Sequence, residues 1–428
     1  MIKEHEILTS IGIPKKIELL RSEINKKKNK IQLTGLVGSA FALKSSLTIL
    51  ESKIPQLFIL DSKESALYFL NDLENLLKKE IYFFPASNFK NYDQNKFDSN
   101  NTLLRSEVLY KINREDNLII VTYTEALFEK VVNKNELKKL TIELTKNNVF
   151  SIDKLQKLLD NLNFKKVDFV SEPGEYSIRG GIVDIYSYSK EHPYRLDFFD
   201  DEIESIKSFN INSQLSIKHE NNITVIPNPS FNSKNKKQNF ISYFPKHSII
   251  WSKDISFAKD QLNNLFNKSK QINKENNLLS GDEYVQQLSQ HTTIENNNSS
   301  FFNAKIKIEF GTVPIVKFNK NFNLLKEELK TNNNKNYDNY VLCSSEEQKN
   351  RFSEIINLKE IKYNCLIITL HEGFVDIINK YAIYTDHQIF NRYHRVKSKT
   401  KFINKKAITI RQLNALEIGD YVTHIDHG

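Results

Sequence analysis

Residues 173–209 read PGEYSIRGGIVDIYSYSKEHPYRLDFFDDEIESIKSF. Apolar and polar residues alternate in two runs: Tyr176 and Ile178 against Ser177 and Arg179, then Tyr194, Leu196 and Phe198 against Arg195 and Asp197. A period of two belongs to a strand with one buried face. Gly180 and Gly181 permit a bulge or tight bend between two apolar runs, and Lys190–Pro193 supplies a polar turn before the second. The stretch predicts a small antiparallel sheet with one face packed and the other carrying Arg179, Arg195 and Asp197. Charges fixed on a rigid sheet make a better docking surface than charges on a mobile loop. Strict alternation groups Phe198 with core-facing Leu196 and leaves Phe199 outward, unless a bulge intervenes.

Upstream the pattern changes. Short apolar runs at Ile31–Leu33, Leu57–Leu60, Ile81–Phe84 and Leu118–Val121 read as buried parallel strands. Helical stretches lie between them at Ala40–Leu50, Lys63–Leu77 and Thr102–Ile112, with Asp61 and Glu64 as a capping box for the second. This is βαβ organisation. Downstream, strands are expected near Ile223–Ile226 and Ser248–Trp251. Then Tyr340–Ser344, Glu346–Asn357, Leu366–Thr369 and Tyr381–Tyr384 alternate as β-α-β-β. Arg392 to Lys406 holds seven basic residues and no acid, the composition of a linker.

A chain of 428 residues is too long for one core and predicts three to five domains. The start is charged and has no apolar signal core, and no run approaches the ~20 apolar residues that span a bilayer. The two cysteines, Cys343 and Cys365, lie in separate strand-like runs, as buried free thiols of a reducing cytoplasm do. A net charge of +9 invites a nucleic-acid reading. Many of the lysines, however, fall in asparagine-rich connectors, where a solvated charge run is the simpler account.

Candidate chemistry is sparse. The first strand runs into LTGLVGSAFALKSS, where a phosphate-binding loop would sit. A working loop has the form G-x-x-x-x-G-K-[ST], with lysine on the β/γ-phosphates and a hydroxyl on Mg²⁺. Aligned on Gly38, this chain has Leu33 at the first glycine, Ser39 at the lysine and Ala40 at the hydroxyl. Lys44 lies too far into the helix to substitute. Asp200-Asp201-Glu202 imitates a metal-binding acidic box but reads as a charged hairpin turn. His371-Glu372 begins a zinc motif whose fifth position is Val375, so that reading fails. His424, Asp426 and His427 read as a polar strand end. No catalytic residue and no metal site follow from the sequence.

The order RGGIVDI then HPYRLDFFDDEIESI, followed by LHEGFVDIINKYAIYTDHQIFNRYHR (370–395) and LEIGDYVTHIDHG (416–428), resembles the bacterial transcription-repair coupling factor (Mfd) family, whose UvrB-homology module matches the first two stretches. The resemblance implies a multidomain α/β fold. A degenerate helicase-like parallel α/β domain would span 1–128 and be completed by 212–310. An antiparallel, β-rich UvrA-docking domain would be inserted at 129–211. A second small α/β domain would follow at 311–391, a basic linker at 392–406, and the truncated start of a CarD-like, RNA-polymerase-interacting domain at 407–428. Carried across, Arg179, Arg195, Asp197 and Phe198 would contact UvrA, and Gly35, Gly38, Ser39 and Ala40 would form an inactive nucleotide loop. The family displaces RNA polymerase stalled at lesions by ATP-driven translocation on DNA and recruits UvrA. The translocase modules are not in this chain. The expectation is an amino-terminal, non-enzymatic portion without cofactors, cytoplasmic, that recruits UvrA, does not bind RNA polymerase and touches DNA weakly. Two other readings stay open: an active ATP-dependent helicase or excision component, against which the missing lysine counts, and a nonspecific DNA-binding protein.

Overall fold

The computed structural model describes residues 6–26, 28–87, 99–188, 190–228, 237–270, 277–356 and 361–392. They form a mixed α/β protein with one parallel sheet, two mixed sheets and two-stranded antiparallel sheets, divided between two compact units.

The first unit draws on residues 6–86, 114–130 and 239–392. Seven strands run parallel in the order Ile306–Glu309, Lys30–Thr34, Thr292–Asn296, Ile249–Ser252, Gln56–Leu60, Ile119–Tyr123, Tyr82–Phe84. All four upstream apolar runs are members, as near-continuous apolar runs suit strands covered on both faces. Every residue of helix Ala40–Ile49 is buried, and Phe41, Phe58, Phe69 and Trp251 pack ring against ring beside it. Helix Lys63–Leu77 begins as expected, but its cap is Ser62 rather than Asp61. The Ser62 hydroxyl accepts from Ser65 N, and the Ser65 hydroxyl accepts from Ser62 N. Asp61 instead pairs with Lys253. The same unit holds a five-stranded mixed sheet in the order Thr312–Pro314, Phe374–Asp376, Tyr381–Thr385, Asp338–Cys343, Asn364–Ile367. Helices Phe322–Asn334 and Glu346–Ile356 close its core through Leu325, Leu329, Phe352 and Ile356.

The second unit draws on residues 99–113 and 131–238. Its six-stranded sheet runs Ser216–His219, Glu202–Phe209, Tyr194–Phe199, Ile182–Ile185, Glu175–Arg179, Lys165–Lys166. Every pairing is antiparallel except the last. Gly180 and Gly181 form a two-residue hairpin loop, with Gly180 at φ +62° as such turns require. Asp200 and Asp201 turn the next hairpin. Helix Ile152–Asn161 lays Leu155 and Leu159 against Tyr176, Val183, Leu196 and Ile206. Strand Asn222–Val225 pairs with Ile142–Thr145, so pairing within this unit continues past residue 211. Among the described residues no helix is long and apolar enough to cross a membrane. The basic stretch beyond Arg392 and the segment 407–428, with His424, Asp426 and His427, lie outside the described residues.

Candidate docking face and phosphate-loop region

Register decides which side chains share the outer face of the six-stranded sheet. One row runs Ser177, Asp184, Arg195, Lys207, His219; the next runs Arg179, Ile182, Asp197, Ser205. The predicted arginines and acid therefore stand together. Asp184 is 1% exposed and binds both arginines. Arg195 donates Nε to Oδ1 at 2.7 Å and Nη2 to Oδ2 at 2.9 Å, while Arg179 donates Nη2 to Oδ2 at 2.6 Å. Arg179 also bonds the Asp168 carbonyl and the Ser177 hydroxyl, and Arg195 bonds Gln214. Each guanidinium lies over a ring, Arg179 on Phe169 at 4.8 Å and Arg195 on Phe209 at 4.3 Å. The hydrogen bonds and charge of Asp184 push the Arg195 pKa further up against burial. Burial would raise the Asp197 carboxyl, but Lys207 and Ser205 bond it and hold it below the usual range. The result is a pair of planar cations locked in orientation before any partner arrives.

The aromatic is placed differently from the expectation that named Phe198. A bulge does intervene after Asp197, but the extra residue is Glu204 on the neighbouring strand: Asp197 pairs with Ser205 and Phe198 with Ile203. Alternation along Tyr194–Phe199 is thereby preserved. Phe198 packs on the core, and Phe199 stands 73% exposed. Phe169, at 48%, and Ile182, at 38%, add apolar surface near the arginines. The +2 spacing from Asp197 is the signal that marks Phe199, and the position opposite Arg179 across the glycine turn marks Ile182.

The loop after the first strand is filled by the chain itself, within the first unit. Ser39 N donates to the Glu372 carbonyl, Glu372 N donates to the Ser39 hydroxyl, and that hydroxyl donates to Asp72. Asp72 also accepts from His371 N at 2.7 Å, and the His371 ring stacks on Tyr68 at 3.6 Å. Gly38, at φ +52°, has no room for a Cβ beyond contact: one would lie 3.0 Å from Glu372 Cβ and 3.1 Å from the Gly373 carbonyl. The Gly35 carbonyl accepts from Thr312 N and Oγ1, and Val37 N donates to the same hydroxyl. Ala40 is buried at the head of the helix. Lys44 is wholly buried and donates to Asp376 at 2.6 Å and to Tyr381 at 2.7 Å. Burial alone would raise the Asp376 carboxyl, but the Lys44 ammonium and the Asn379 donors hold it down. The His371-Glu372 pair that imitates a zinc motif is thus the segment seated on this loop.

Residues 142–231, which contain the whole arginine face, match the family model for the UvrB interaction domain. Relatives carry the name transcription-repair-coupling factor. The Bacillus subtilis protein is 29% identical over 196 residues, covering 46% of this chain and 17% of that protein. The Escherichia coli protein is 32% identical over 127 residues, covering 30% and 11%. The Borreliella burgdorferi protein is 24% identical over 490 aligned positions, covering 96% and 41%. The chain spans less than half the length of each of these relatives. Its sequence is similar to the amino-terminal portion of the transcription-repair coupling factors, with a match to the UvrB interaction domain inside it.

Proposed function

We propose that this chain is a docking portion of a transcription-repair coupling factor, recruiting UvrA through the outer face built on Arg179, Arg195, Asp197 and Phe199. The observation that carries the reading is the pair of guanidinium groups fixed on buried Asp184, inside the matched segment and beside exposed apolar side chains. Arginine forks flanked by aromatics are the usual anchors of protein interfaces. In this reading the parallel α/β domain is helicase-like in shape only, with Gly35, Gly38, Ser39 and Ala40 as a loop that holds no nucleotide. The residue 311–391 region is a second α/β domain, contact with RNA polymerase belongs to other parts of a full-length protein, and DNA binding is weak. The test is a titration of purified chain with UvrA. Saturable binding that is lost in an Arg179→Ala, Phe199→Ala double variant supports the reading. Wild-type affinity in that variant refutes the face.

A further inference from the structure

The chain has two cysteines, and the fold brings them together. Strands Asp338–Cys343 and Asn364–Ile367 run parallel, with Val341 opposite Cys365 and Cys343 opposite Ile367. The two residues are offset by two positions on one face, and their sulfurs meet on the diagonal at 3.4 Å. Both are free thiols, Cys343 buried and Cys365 partly exposed.

We propose that Cys343 and Cys365 form an oxidation-sensitive dithiol, which a small disulfide such as oxidised glutathione converts to a cross-link between the two strands. Cys365 is the attacking group. It is the partly exposed member of the pair, and its hydrogen bond with Cys343, together with the Lys349 ammonium, draws its pKa down against burial, whereas Cys343 is pushed up. The Cys365 thiolate attacks one sulfur of oxidised glutathione, forming a mixed disulfide and expelling one glutathione thiolate, which takes a proton from water. Cys343 then loses its proton to water and attacks the Cys365 sulfur, and the second glutathione leaves. Two protein thiols are oxidised and one small disulfide is reduced to two thiols.

A disulfide holds its two sulfurs about 2 Å apart, closer than the 3.4 Å at which they now stand. Closure draws the strands together, so the bond is strained and easily reduced, as regulatory cross-links are. Helix Glu346–Ile356 lies between the cysteines in sequence and packs in the same core as Cys343, so closure is felt there.

Intact-mass spectrometry of the full chain in oxidised and reduced glutathione buffers tests this. The wild type is expected to lose two hydrogens as oxidised glutathione rises, and to regain them in excess reduced glutathione. Cys343→Ser is expected to stop at a glutathione adduct on Cys365, and Cys365→Ser to react about tenfold more slowly. A wild-type chain that collects adducts without losing two hydrogens, or stays unmodified, overturns the proposal. So does Cys365→Ser reacting as fast as wild type. The wild-type mass decides the matter even where a variant fails to fold.

Discussion

Asp184 governs the chemistry of the outer face, because a buried carboxylate must keep its donors. Of its three guanidinium hydrogen bonds Arg195 supplies two and Arg179 one. Arg195→Ala is therefore expected to weaken folding as well as docking, by on the order of 1–3 kcal/mol of stability. Arg179→Ala, which leaves the two-bond fork in place, should cost less. The cleaner probe of docking is Phe199, whose ring stands in solvent. Phe199→Ala is expected to remove about 1–4 kcal/mol of UvrA binding while moving stability by less than about 0.5 kcal/mol. Phe198→Ala should do the reverse, lowering the urea midpoint through a cavity in the sheet core. Binding titrations beside urea denaturation of both variants check the assignment. An unchanged UvrA affinity in Phe199→Ala would remove the aromatic from the site.

At the scale of elements, the loop between the first strand and its helix shows how an ion pair and a carboxyl group hold the 369–376 segment in place. Lys44→Met is expected to cost about 3–5 kcal/mol in urea denaturation, because it strands a buried Asp376, and adding Asp376→Asn should recover part of that. Asp72 adds a pH dependence. Burial pushes its carboxyl up to about 7, against the bonds from Ser39 and His371 N, from an ordinary value of 3.8. The folded chain then binds a proton that the unfolded chain has released. Its contribution is fully present below pH about 4 and is lost as pH rises through about 7. Asp72→Asn should flatten that fall in a pH series of unfolding midpoints, and an unaltered profile would show that Asp72 titrates normally. Much of this region was legible as elements but not as contacts. Apolar runs identify strands buried on both faces, whereas central strand Thr292–Asn296 escapes that reading because its polar residues are buried and bonded. Thr293 donates to the Leu288 carbonyl, and Glu295 accepts from Ile255 and Phe301 N. The arginine face was legible because register follows from alternation across a two-residue turn. That His371-Glu372 seats on Ser39 could not be read, since more than 300 residues of sequence separate them and no local pattern encodes the meeting.

Across the whole molecule, the +9 charge and the filled loop make opposite suggestions, and each has its own measurement. Charge alone supports salt-sensitive association with DNA: affinity at the micromolar level or weaker, no sequence preference, and a steep fall of log K with log salt. Selective binding surviving about 0.5 M salt would contradict this. In the proposed reading the loop carries no nucleotide chemistry. Replacing Ser39 by lysine restores the missing ammonium of the phosphate-loop pattern, so a chain that lacked only that charge would regain Mg-ATP binding. Here Ser39 also bonds Asp72 and Glu372 N, and Gly38 lies against Glu372 and Gly373. A lysine in its place removes both bonds, brings a long cation into a packed position and leaves Leu33 and Ala40 unchanged. Ser39→Lys is expected to lower the unfolding temperature and to leave ATP turnover at background, with the wild type equally inactive. Mg-ATP should raise neither unfolding temperature, because a ligand stabilises a fold only by binding it. Phosphate release from either protein, or a midpoint that climbs with Mg-ATP, would mean that the 371–373 segment leaves the loop and that nucleotide takes its place.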